Sequence, residues 1–580
     1  MLNYKLALPI LLLNSYLFSS SINLELENYL NKGAKTTLIK ADRLKTYYLN
    51  SKKSYWLDEN GLKNISLEFI NLVKNDPVYK PKANELFNIN TLESKISSLD
   101  KDSQNYNKEL LDIEILLTEI YDKYSGFLLR GSIKWDEFQK KLKEVRLKDI
   151  DVQWDRVFVK NDTKKILEDM ISSNNIEVIQ EKLDTNYPHK KELAKSIDNL
   201  EKIIEAGDYI KLPAFKTLRL GDNGDNVKIL RDRLFQSNDL QKTCQNSVNI
   251  GNIVTNNIET EQDSKKEKDE TKEETFSQTI PCEEYFDEDL KEAVVSFQKQ
   301  HGLLSDGIVG ASTQAFLNKS AKEKIKQIRL NIERMRWLPR DFGEKYLIVN
   351  IPEYNLKMIE NNEIKLDMAV IVGDVKFPTP IFSDKMSYIV LNPAWNIPSS
   401  IIKKELIPKL VKDPSYLASQ GIDIYAGWDS ESGKMDTKEI IDSLILEDGA
   451  GLSSFRMAQS PGSKNPLGKM KFMFPNKHSV YLHDTPNKYL FANARRAYSH
   501  GCIRLSKPND LLDILSSDNQ NIEKSKINEI FNDKKEKALN LNNKLPIHII
   551  YLTSWVDKDG VLQFREDIYN YDKLQKEFIY

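Results

Sequence analysis

Apolar residues recur at helical spacing through the first part of the chain. The runs from Leu110 to Tyr124 and from Ile166 to Leu183 place apolar side chains three or four residues apart between charged ones. Aromatic residues such as Trp135 and Trp154 recur there without a catalytic cluster, and we favour core packing for them over a glycan-binding surface. The pattern predicts a helical scaffold domain over residues 22–210.

Residues 211–320 combine glycine turns with two helical stripes. The first stripe follows Gly221 and Gly224, and the second precedes Gly302, Gly307 and Gly310. The stripes consist of Val227, Leu230 and Leu234, and of Leu290, Val294 and Phe297. Because glycine suits tight turns and such stripes suit helix packing, we predict a small helical domain.

An insertion at residues 243–284 interrupts this small domain. Its middle, from Glu259 to Thr275, is rich in Glu, Lys, Asp and Thr and contains no apolar residue. A segment of this composition has nothing to bury, so we predict a disordered insertion.

Strand-like patterns follow a predicted linker helix at residues 321–345. They comprise Tyr346 to Ile351, Asn355 to Ile359, Asp367 to Val372 and Ser387 to Leu391. Asn361-Asn362 separates two of them and predicts a hairpin turn. We expect a β-sandwich or barrel-like catalytic domain over residues 346–556, with a helical capping insertion at about 399–450 and a C-terminal tail at 557–580.

Length and charge fit an α+β multidomain protein. A chain of 580 residues is too long for one core, and three or four domains are expected. A net charge of −2 gives no electrostatic reason to expect nucleic acid as a partner. At the N-terminus, Lys5 precedes the apolar run Leu6 to Leu13, and three serines follow at residues 19–21. This order predicts a secretory signal or an uncleaved anchor at residues 1–21.

Three cysteines occur, at positions 244, 282 and 502. In an oxidising compartment an odd count leaves one thiol over. Cys244 and Cys282 flank the insertion and are the natural candidates for a disulfide, which would hold the two halves of the small domain together. Cys502 then remains as a free thiol among polar neighbours.

The residues around Cys502 suit acyl transfer. A thiol needs a base to become a nucleophile, and His483 and His500 compete for that role. We favour His483, because it ends an apolar-alternating run and a strand would fix its ring. One cysteine and two histidines lack the paired spacing of a structural zinc site, so we expect no metal.

The neighbours of Cys502 also have candidate roles. Gly501 lets the main chain approach a substrate closely, and N–H groups at Gly501 and Cys502 are candidate oxyanion donors. Arg504 is a candidate for binding a substrate carboxylate, with a structural ion pair as an equal alternative.

Two regions resemble bacterial wall enzymes. Residues 211–318, with the glycine turns, both stripes and Gln298 in order, resemble a peptidoglycan-binding domain. His483, a gap of about fifteen residues and then Ser499-His500-Gly501-Cys502 resemble the L,D-transpeptidases. Further family-like runs are Val372-Gly373, Thr379-Pro380, Asn392-Pro393-Ala394-Trp395, Asn465-Pro466-Leu467-Gly468 and Leu482-His483-Asp484-Thr485-Pro486.

The resemblance implies roles for particular residues. Cys502 is the nucleophile and His483 the general base, while Ser499, His500, Gly501 and Arg504 support the site. Some smaller members carry Gly after the first histidine and Asn two residues after the cysteine, whereas this chain has Asp484 and Arg504. The group that orients His483 is therefore open at this point.

The resemblance also implies a reaction. Cys502 attacks the bond between the diamino acid and D-Ala of a tetrapeptide stem, and a second stem amine resolves the thioester into a 3–3 cross-link. Alternatives are L,D-carboxypeptidase or L,D-endopeptidase activity, lipoprotein anchoring to the wall, and an inactive wall-binding scaffold. We expect a periplasmic monomer, tethered to the inner membrane if the N-terminus is uncleaved, that acts on peptidoglycan in cell wall biogenesis and cell shape and uses no cofactor.

Overall fold

The computed structural model describes residues 24–32, 36–48, 53–144, 154–241, 248–250, 278–427, 433–435, 440 and 455–579. The predicted signal or anchor at residues 1–21 lies outside them. Within these ranges, none of the helices is long and apolar enough to cross a membrane. The chain forms two compact units. The first comprises residues 1–188, 332–552 and 567–580, and the second comprises residues 189–331 and 553–566.

The N-terminal part of the first unit is helical, as predicted. Its longest helix, Tyr106–Arg130, is buried on all sides from Ile113 to Tyr121 and ends at Gly131, whose φ of 75° is unfavourable for residues with a side chain. The other helices are Ala41–Tyr48, Asn64–Lys74, Ala83–Phe87, Ile89–Ser97, Trp135–Glu144, Thr163–Ser173 and Glu177–Leu183. A short hairpin, Leu57–Asp58 with Gly61–Leu62, lies among them.

A buried charged cluster joins these helices to the segment that leads into the catalytic region. The Arg336 guanidinium lies 3.3 Å from Asp76 and 3.1 Å from Asp184. Glu333, also buried, accepts from the Tyr79 hydroxyl at 2.8 Å. Because an unpaired buried charge is costly, these contacts must form together. The helical region and the catalytic sheet thus belong to one folded unit.

The second unit holds the small helical domain. Its helices are Lys190–Glu205, Asp225–Gln236, Glu288–Gln300, Ala311–Leu317 and most of Ala321–Met335. The two predicted stripes meet in one core, where Val227, Leu230, Leu234, Leu290 and Phe297 are fully buried. A hairpin from the far end of the chain, Ser554–Val556 with Leu562–Phe564, completes this unit.

The insertion differs from the prediction at its ends. Val248–Ile250 pairs antiparallel with Gln278–Ile280, so residues near both ends of 243–284 form a two-stranded ribbon instead of being disordered. Apolar residues such as Ile280, which is buried, supply the side chains that the middle of the insertion lacks. The predicted disordered middle, residues 259–275, lies outside the described residues.

The catalytic region is built on a nine-stranded sheet. In chain order its strands are β1 (Lys345–Asn350), β2 (Asn355–Glu360), β3 (Glu363–Gly373), β4 (Phe382–Leu391), β5 (Met470–Met473), β6 (Leu482–His483), β7 (Ala497–Ser499), β8 (Ile503–Leu505) and β9 (Lys537–Ile550). Their spatial order is β7-β3-β8-β6-β5-β4-β9-β1-β2. β2 also pairs with β3, which closes eight strands into a barrel-like ring.

Local sequence explains the first strands. The four predicted strands coincide with β1 to β4 within a few residues. Asn361 and Asn362 have φ values of 51° and 65°, and they connect β2 to β3. Two positive φ values suit a hairpin turn whose twist matches that of the strands, and asparagine tolerates this conformation.

The described part of the capping insertion contains both helical turns and strands. Its helical turns are Ser399–Ile401, Ile402–Leu406, Ile407–Lys412 and Tyr416–Gln420. Gly421, with a φ of 65°, ends the last of these turns, and the chain then enters the strand Ile422–Tyr425. This strand forms a three-stranded sheet with Trp395–Asn396 and Arg456–Gln459. The prediction of a helical insertion at about 399–450 was therefore wrong for residues 422–425, where buried Ile422 and Ile424 alternate with less buried residues.

The C-terminal residues are not an extended tail. Residues 557–566 contain the second strand of the hairpin in the second unit, and the helix Tyr571–Ile579 packs in the first unit. Tyr569, between them, is buried. Its aromatic neighbours Tyr551 and Tyr571 lie 5.6 Å and 5.5 Å away, which explains why this segment is held in place.

Candidate active site

Strand pairing places His483 beside the segment that carries Cys502. β6 and β8 pair in parallel, with Leu482 opposite Ile503 and His483 opposite Arg504. Cys502 directly precedes β8, and the N–H of Ile503 donates to the carbonyl of Tyr481 at 3.1 Å. Residues that are distant in sequence are therefore brought onto adjacent strands.

His483 is buried, and the main chain fixes its ring. Nδ1 lies 2.5 Å from the carbonyl oxygen of Asp484, and because a carbonyl only accepts, Nδ1 carries the proton. Nε2 is then the unprotonated nitrogen, which a general base requires. Burial, and secondly the Arg504 cation, lower the pKa of His483 to about 3. The imidazole is thus neutral across the physiological range.

The main-chain carbonyl of Asp484 orients His483, whereas its carboxylate accepts hydrogen bonds from other residues. Oδ1 accepts from Nζ of Lys488 at 2.7 Å, and Oδ2 accepts from the N–H of Lys469 at 2.9 Å. A side chain at Gly468 would collide with this carboxylate. The group that the sequence left open is therefore the Asp484 main chain, and neither the Asp484 carboxylate nor Arg504 orients the ring.

Cys502 is a free cysteine with a partly exposed side chain. Its Sγ lies 4.0 Å from the carbonyl oxygen of Ser479. Burial raises the pKa of the thiol to about 11, although hydrogen bonds from the N–H and hydroxyl of Tyr481 and the nearby Arg504 and Lys471 cations oppose the increase. The resting pair is therefore a neutral thiol and a neutral imidazole.

Ser499 and Gly501 shape the turn before Cys502. Ser499 Oγ donates to the carbonyl of Cys502 at 2.5 Å and accepts from the N–H of Gly501 at 3.2 Å. Gly501 has a φ of 108°, where a side chain would be strained. Its N–H, predicted as an oxyanion donor, thus points at Ser499 instead, which leaves the N–H of Cys502 as the predicted main-chain donor.

A hydrogen-bonded chain holds the other side of this turn. Thr379 is fully buried, and its Oγ1 donates to the carbonyl of Gly501 at 2.8 Å and accepts from the N–H of Gly373 at 2.9 Å. The Tyr569 hydroxyl donates to the carbonyl of Gly373 at 2.7 Å and accepts from the N–H of Thr379 at 3.1 Å. Tyr569 therefore supports the turn from the C-terminal part of the chain.

His500 has a different environment from His483. It is exposed, its Nε2 lies 2.5 Å from Glu405 Oε1, and its ring is 4.4 Å from that of Phe377. Glu405 belongs to the capping insertion, so His500 contacts the cap. An exposed ring paired with a carboxylate is less suited than His483 to accept a proton from the thiol.

Arg504 lies opposite His483 on the neighbouring strand and two residues after Cys502. Its Nε is buried and has no hydrogen-bond partner among the described residues. An unsatisfied buried donor is costly unless a ligand completes it. The Nε of Arg504 is thus a donor that a substrate carboxylate could satisfy, and the carboxylate-binding role and the structural ion pair both stay predictions.

Sequence reasoning missed four residues of the site. Tyr481, Thr379, Tyr569 and Glu405 contact the predicted residues but were given no role. Tyr481 lies two positions before His483, and its ring is 5.8 Å from the imidazole. Strand alternation applied backwards from His483 would have placed both side chains on one face. No local signal identifies Tyr569, because 190 residues separate it from Thr379.

The remaining cysteine and metal predictions involve other parts of the chain. Cys282 is disulfide-bonded, whereas Cys244 lies outside the described residues, so their pairing stays a prediction. In the described part of the chain, His, Cys, Asp and Glu side chains form no group of three or more that would hold a metal ion.

Family comparisons match two parts of the chain. Residues 344–521 match the model described as "L,D-transpeptidase catalytic domain", and residues 276–317 match that described as "Putative peptidoglycan binding domain". The first range includes every residue discussed above from Gly373 to Arg504.

Individual proteins are also similar. A protein of Haemophilus influenzae named "Putative L,D-transpeptidase" is 32% identical over 263 residues, which are 45% of this chain and 51% of that protein. The chain thus spans about half the length of this curated relative. A solved L,D-transpeptidase from Mycobacterium smegmatis has 14% identity and a TM-score of 0.17, with 36% of this chain and 58% of that one covered. One from Stackebrandtia nassauensis has 11% identity and a TM-score of 0.21, with 59% and 96% covered.

Proposed function

Since residues 344–521 match the L,D-transpeptidase catalytic domain, we propose that the chain is a peptidoglycan L,D-transpeptidase with Cys502 as nucleophile and His483 as general base. The observation that supports this most is the pairing of β6 with β8, which sets His483 beside the Cys502 segment. The hydrogen bond from Nδ1 to the Asp484 carbonyl leaves Nε2 ready to accept a proton.

The first half-reaction releases D-Ala. The Cys502 sulfur attacks the carbonyl of the diamino acid, and the thiol proton passes to Nε2 of His483. The tetrahedral intermediate collapses as that proton moves to the departing amine, which gives a thioester and free D-Ala. Because thiol and imidazole are both neutral at rest, proton transfer accompanies attack. The N–H of Cys502 and the Tyr481 hydroxyl are the proposed donors to the developing charge.

The second half-reaction forms the cross-link. The side-chain amine of a second stem attacks the thioester carbonyl, and its proton returns through His483 to the thiolate. The energy of the original peptide bond is retained in the thioester, so no nucleotide is needed. Arg504, with its unpartnered Nε, is proposed to bind a stem carboxylate.

The remaining parts of the chain suit the same polymer. We propose that the small helical domain, matched over residues 276–317, binds peptidoglycan. The protein would then be exported and associated with the wall. Such a domain raises the local concentration of stems near the thiol by tethering.

Incubation with disaccharide-tetrapeptide, followed by mass spectrometry, tests the proposal. We expect the wild type to release D-Ala and form dimers, and Cys502→Ala to do neither. His483→Asn should slow D-Ala release about 10²- to 10⁴-fold. His189→Asn, at an exposed histidine, is the matched control. Full D-Ala release by Cys502→Ala would end the proposal, whereas tripeptide monomer alone would indicate a carboxypeptidase.

A further inference from the structure

A pocket of about 510 Å³ lies in the helical part of the first unit, apart from Cys502 and His483. Its lining includes Trp135, Gln139, Lys143, Arg156 and Phe158. This volume is sufficient for a small ligand or part of a larger one. Phe158 is 68% exposed, which is unusual for a large apolar side chain.

The Arg156 guanidinium lies over two aromatic rings. Its guanidinium carbon lies 4.8 Å from the ring centre of Trp135 and 5.0 Å from that of Phe158. Nη1 donates to the carbonyl of Arg130 at 3.3 Å, whereas Nε is buried and has no hydrogen-bond partner among the described residues. A stacked guanidinium loses little entropy on binding, and its planar donors match a carboxylate.

The wall behind Arg156 is rigid. Trp135 packs edge-on against Trp337 with ring centres 5.1 Å apart, and Trp337 packs in the same way against Trp154 at 5.2 Å. Gln139 Nε2 donates to the carbonyl of Trp154 at 2.6 Å. Packed aromatic side chains of this kind resist rearrangement, so the pocket is formed before any ligand arrives.

The charge of the pocket favours an anion. Lys143 and Arg156 supply two cations. The acidic lining residue, Asp155, is already paired: Oδ1 lies 2.9 Å from Lys477 Nζ, and Oδ2 lies 3.4 Å from His478 Nε2. The pocket therefore offers positive charge over apolar rings, which suits a carboxylate attached to an aliphatic or peptide body.

The pocket is also adjacent to the active site along the chain. Lys477 and His478, which hold Asp155, immediately precede Ser479, whose carbonyl lies 4.0 Å from Cys502 Sγ. Two residues of chain span at most about 7 Å. On the other side, Asp155 N–H donates to the carbonyl of Ile381 at 2.9 Å, two residues after Thr379. Both segments that contact Asp155 therefore lead to residues of the candidate active site within two positions.

We propose that this pocket binds a carboxylate of a peptidoglycan stem peptide and so forms a second substrate subsite. The proposal rests on the function proposed above, because it takes its ligand from that substrate. Arg156 makes the carboxylate contact, Lys143 adds charge, and the Phe158 ring covers the aliphatic part of the peptide.

Calorimetric binding of stem peptides to the full chain tests the subsite. The Cys502→Ala background prevents turnover, and the added variants are Arg156→Gln, Lys143→Gln and Lys160→Gln. We expect the Kd of disaccharide-tetrapeptide to rise about tenfold with Arg156→Gln and about threefold with Lys143→Gln, since charge-assisted contacts are lost. Lys160 is exposed and does not line the pocket, so Lys160→Gln should leave the Kd unchanged.

Titrations with altered ligands identify the chemical group that the pocket binds. The same titrations use the tetrapeptide with its carboxylates amidated and the disaccharide without peptide, and Arg156→Gln should make no difference to either. If Arg156→Gln weakened the binding of the disaccharide as much as that of the disaccharide-tetrapeptide, the pocket would bind glycan and the carboxylate assignment would be overturned. Lys143→Gln is a surface change that leaves packing intact, so it keeps the test valid if Arg156→Gln unfolds.

The two proposals fail in different ways. Unchanged affinity in both Arg156→Gln and Lys143→Gln, with D-Ala release retained by the Cys502 protein, would overturn the subsite alone. Absence of D-Ala release from the Cys502 protein would instead remove the proposed function. In the catalytic background, Arg156→Gln should raise KM with little change in kcat, as expected for a contact present equally in ground and transition states.

Discussion

At Cys502, the proposed nucleophile, burial and hydrogen bonding shift the thiol pKa in opposite directions. Burial raises the pKa of Cys502 to about 11, whereas Tyr481 and the cations Arg504 and Lys471 favour the thiolate. His483, with a pKa of about 3, does not form an imidazolium at neutral pH. The thiol is thus protected until a substrate is positioned, in contrast to enzymes that hold a resting thiolate–imidazolium pair.

Tyr481→Phe tests this balance at the residue scale. Removing a hydroxyl that donates to the thiolate should raise the pKa of Cys502 further, by about one unit for a lost bond of roughly 1.5 kcal/mol. Iodoacetamide alkylation of wild type should increase tenfold per pH unit between pH 6 and 10, because only the thiolate reacts. The alkylation rate of Tyr481→Phe should increase with the same slope and be about tenfold lower at each pH.

Tyr388→Phe, on β4, is the control for Tyr481→Phe and should follow the wild-type profile. A wild-type alkylation rate that levels off near neutral pH would mean that the thiolate is already formed there. That outcome would contradict the neutral pair.

At the scale of elements, the catalytic turn depends on strands and on the segment before the last helix. Thr379, in the loop between β3 and β4, holds the carbonyl of Gly501, and Tyr569 holds both Thr379 and Gly373. A side chain at Gly373 would collide with the main chain at Phe377 to Thr379. The turn before Cys502 is thus enclosed by contacts that leave it one conformation.

Tyr569→Phe should separate positioning from folding. The lost hydroxyl leaves a buried N–H and a buried carbonyl unsatisfied, which should lower the free energy of unfolding by about 1–3 kcal/mol. Because small misplacements of reacting groups are costly, kcat should fall about tenfold while KM stays nearly constant. Steady-state D-Ala release, measured well below the unfolding temperature, checks this.

Tyr346→Phe provides a comparison for Tyr569→Phe in the same unit. It should keep the wild-type kcat, since Tyr346 packs against Phe342 and does not contact the turn. Loss of stability in Tyr569→Phe with an unchanged kcat would show a structural role only.

At the scale of the whole molecule, buried neutral histidines make stability depend on pH. Burial lowers the pKa of His548 to about 4, and its ring bridges Ser383 Oγ and the Phe342 carbonyl. The unfolded chain binds a proton below about pH 6.5, whereas the folded chain does not until about pH 4. The contribution of this group is therefore present above pH 6.5 and is lost as the pH falls toward 4.

His548→Gln should reveal this linkage. The stability difference between wild type and variant should be about 2 kcal/mol smaller at pH 5 than at pH 7.5, because glutamine does not titrate. Urea unfolding at both pH values measures it. The exposed His189→Asn should show no such change, and a pH-independent difference for His548→Gln would contradict the assignment.

The sequence by itself determined the features that are local. Helical stripes predicted the scaffold and the small domain, and alternation predicted β1 to β4. The chemistry inferred from His483 and Cys502 stays a prediction, although the structure brings their segments together. The structural predictions concern local features. These succeed because periodicity and short motifs reflect nearest neighbours along the chain. The predictions for the insertion and the cap were partly wrong. The strand at residues 248–250 depends on its partner at 278–280, and the end of the helical turn at Gly421 depends on one dihedral angle.

Only the tertiary structure decided how the site is completed. It showed that the Asp484 carbonyl orients His483 and that Tyr481 contacts the thiol. It also showed that Tyr569 supports the turn through its bond with Thr379, which lies 190 residues earlier in the chain. It also placed Arg156 between Trp135 and Phe158, where the sequence predicted core packing alone. The physical reason is that hydrogen bonds and burial depend on which residues are close in space, and this proximity cannot be read directly from the order of residues in the chain.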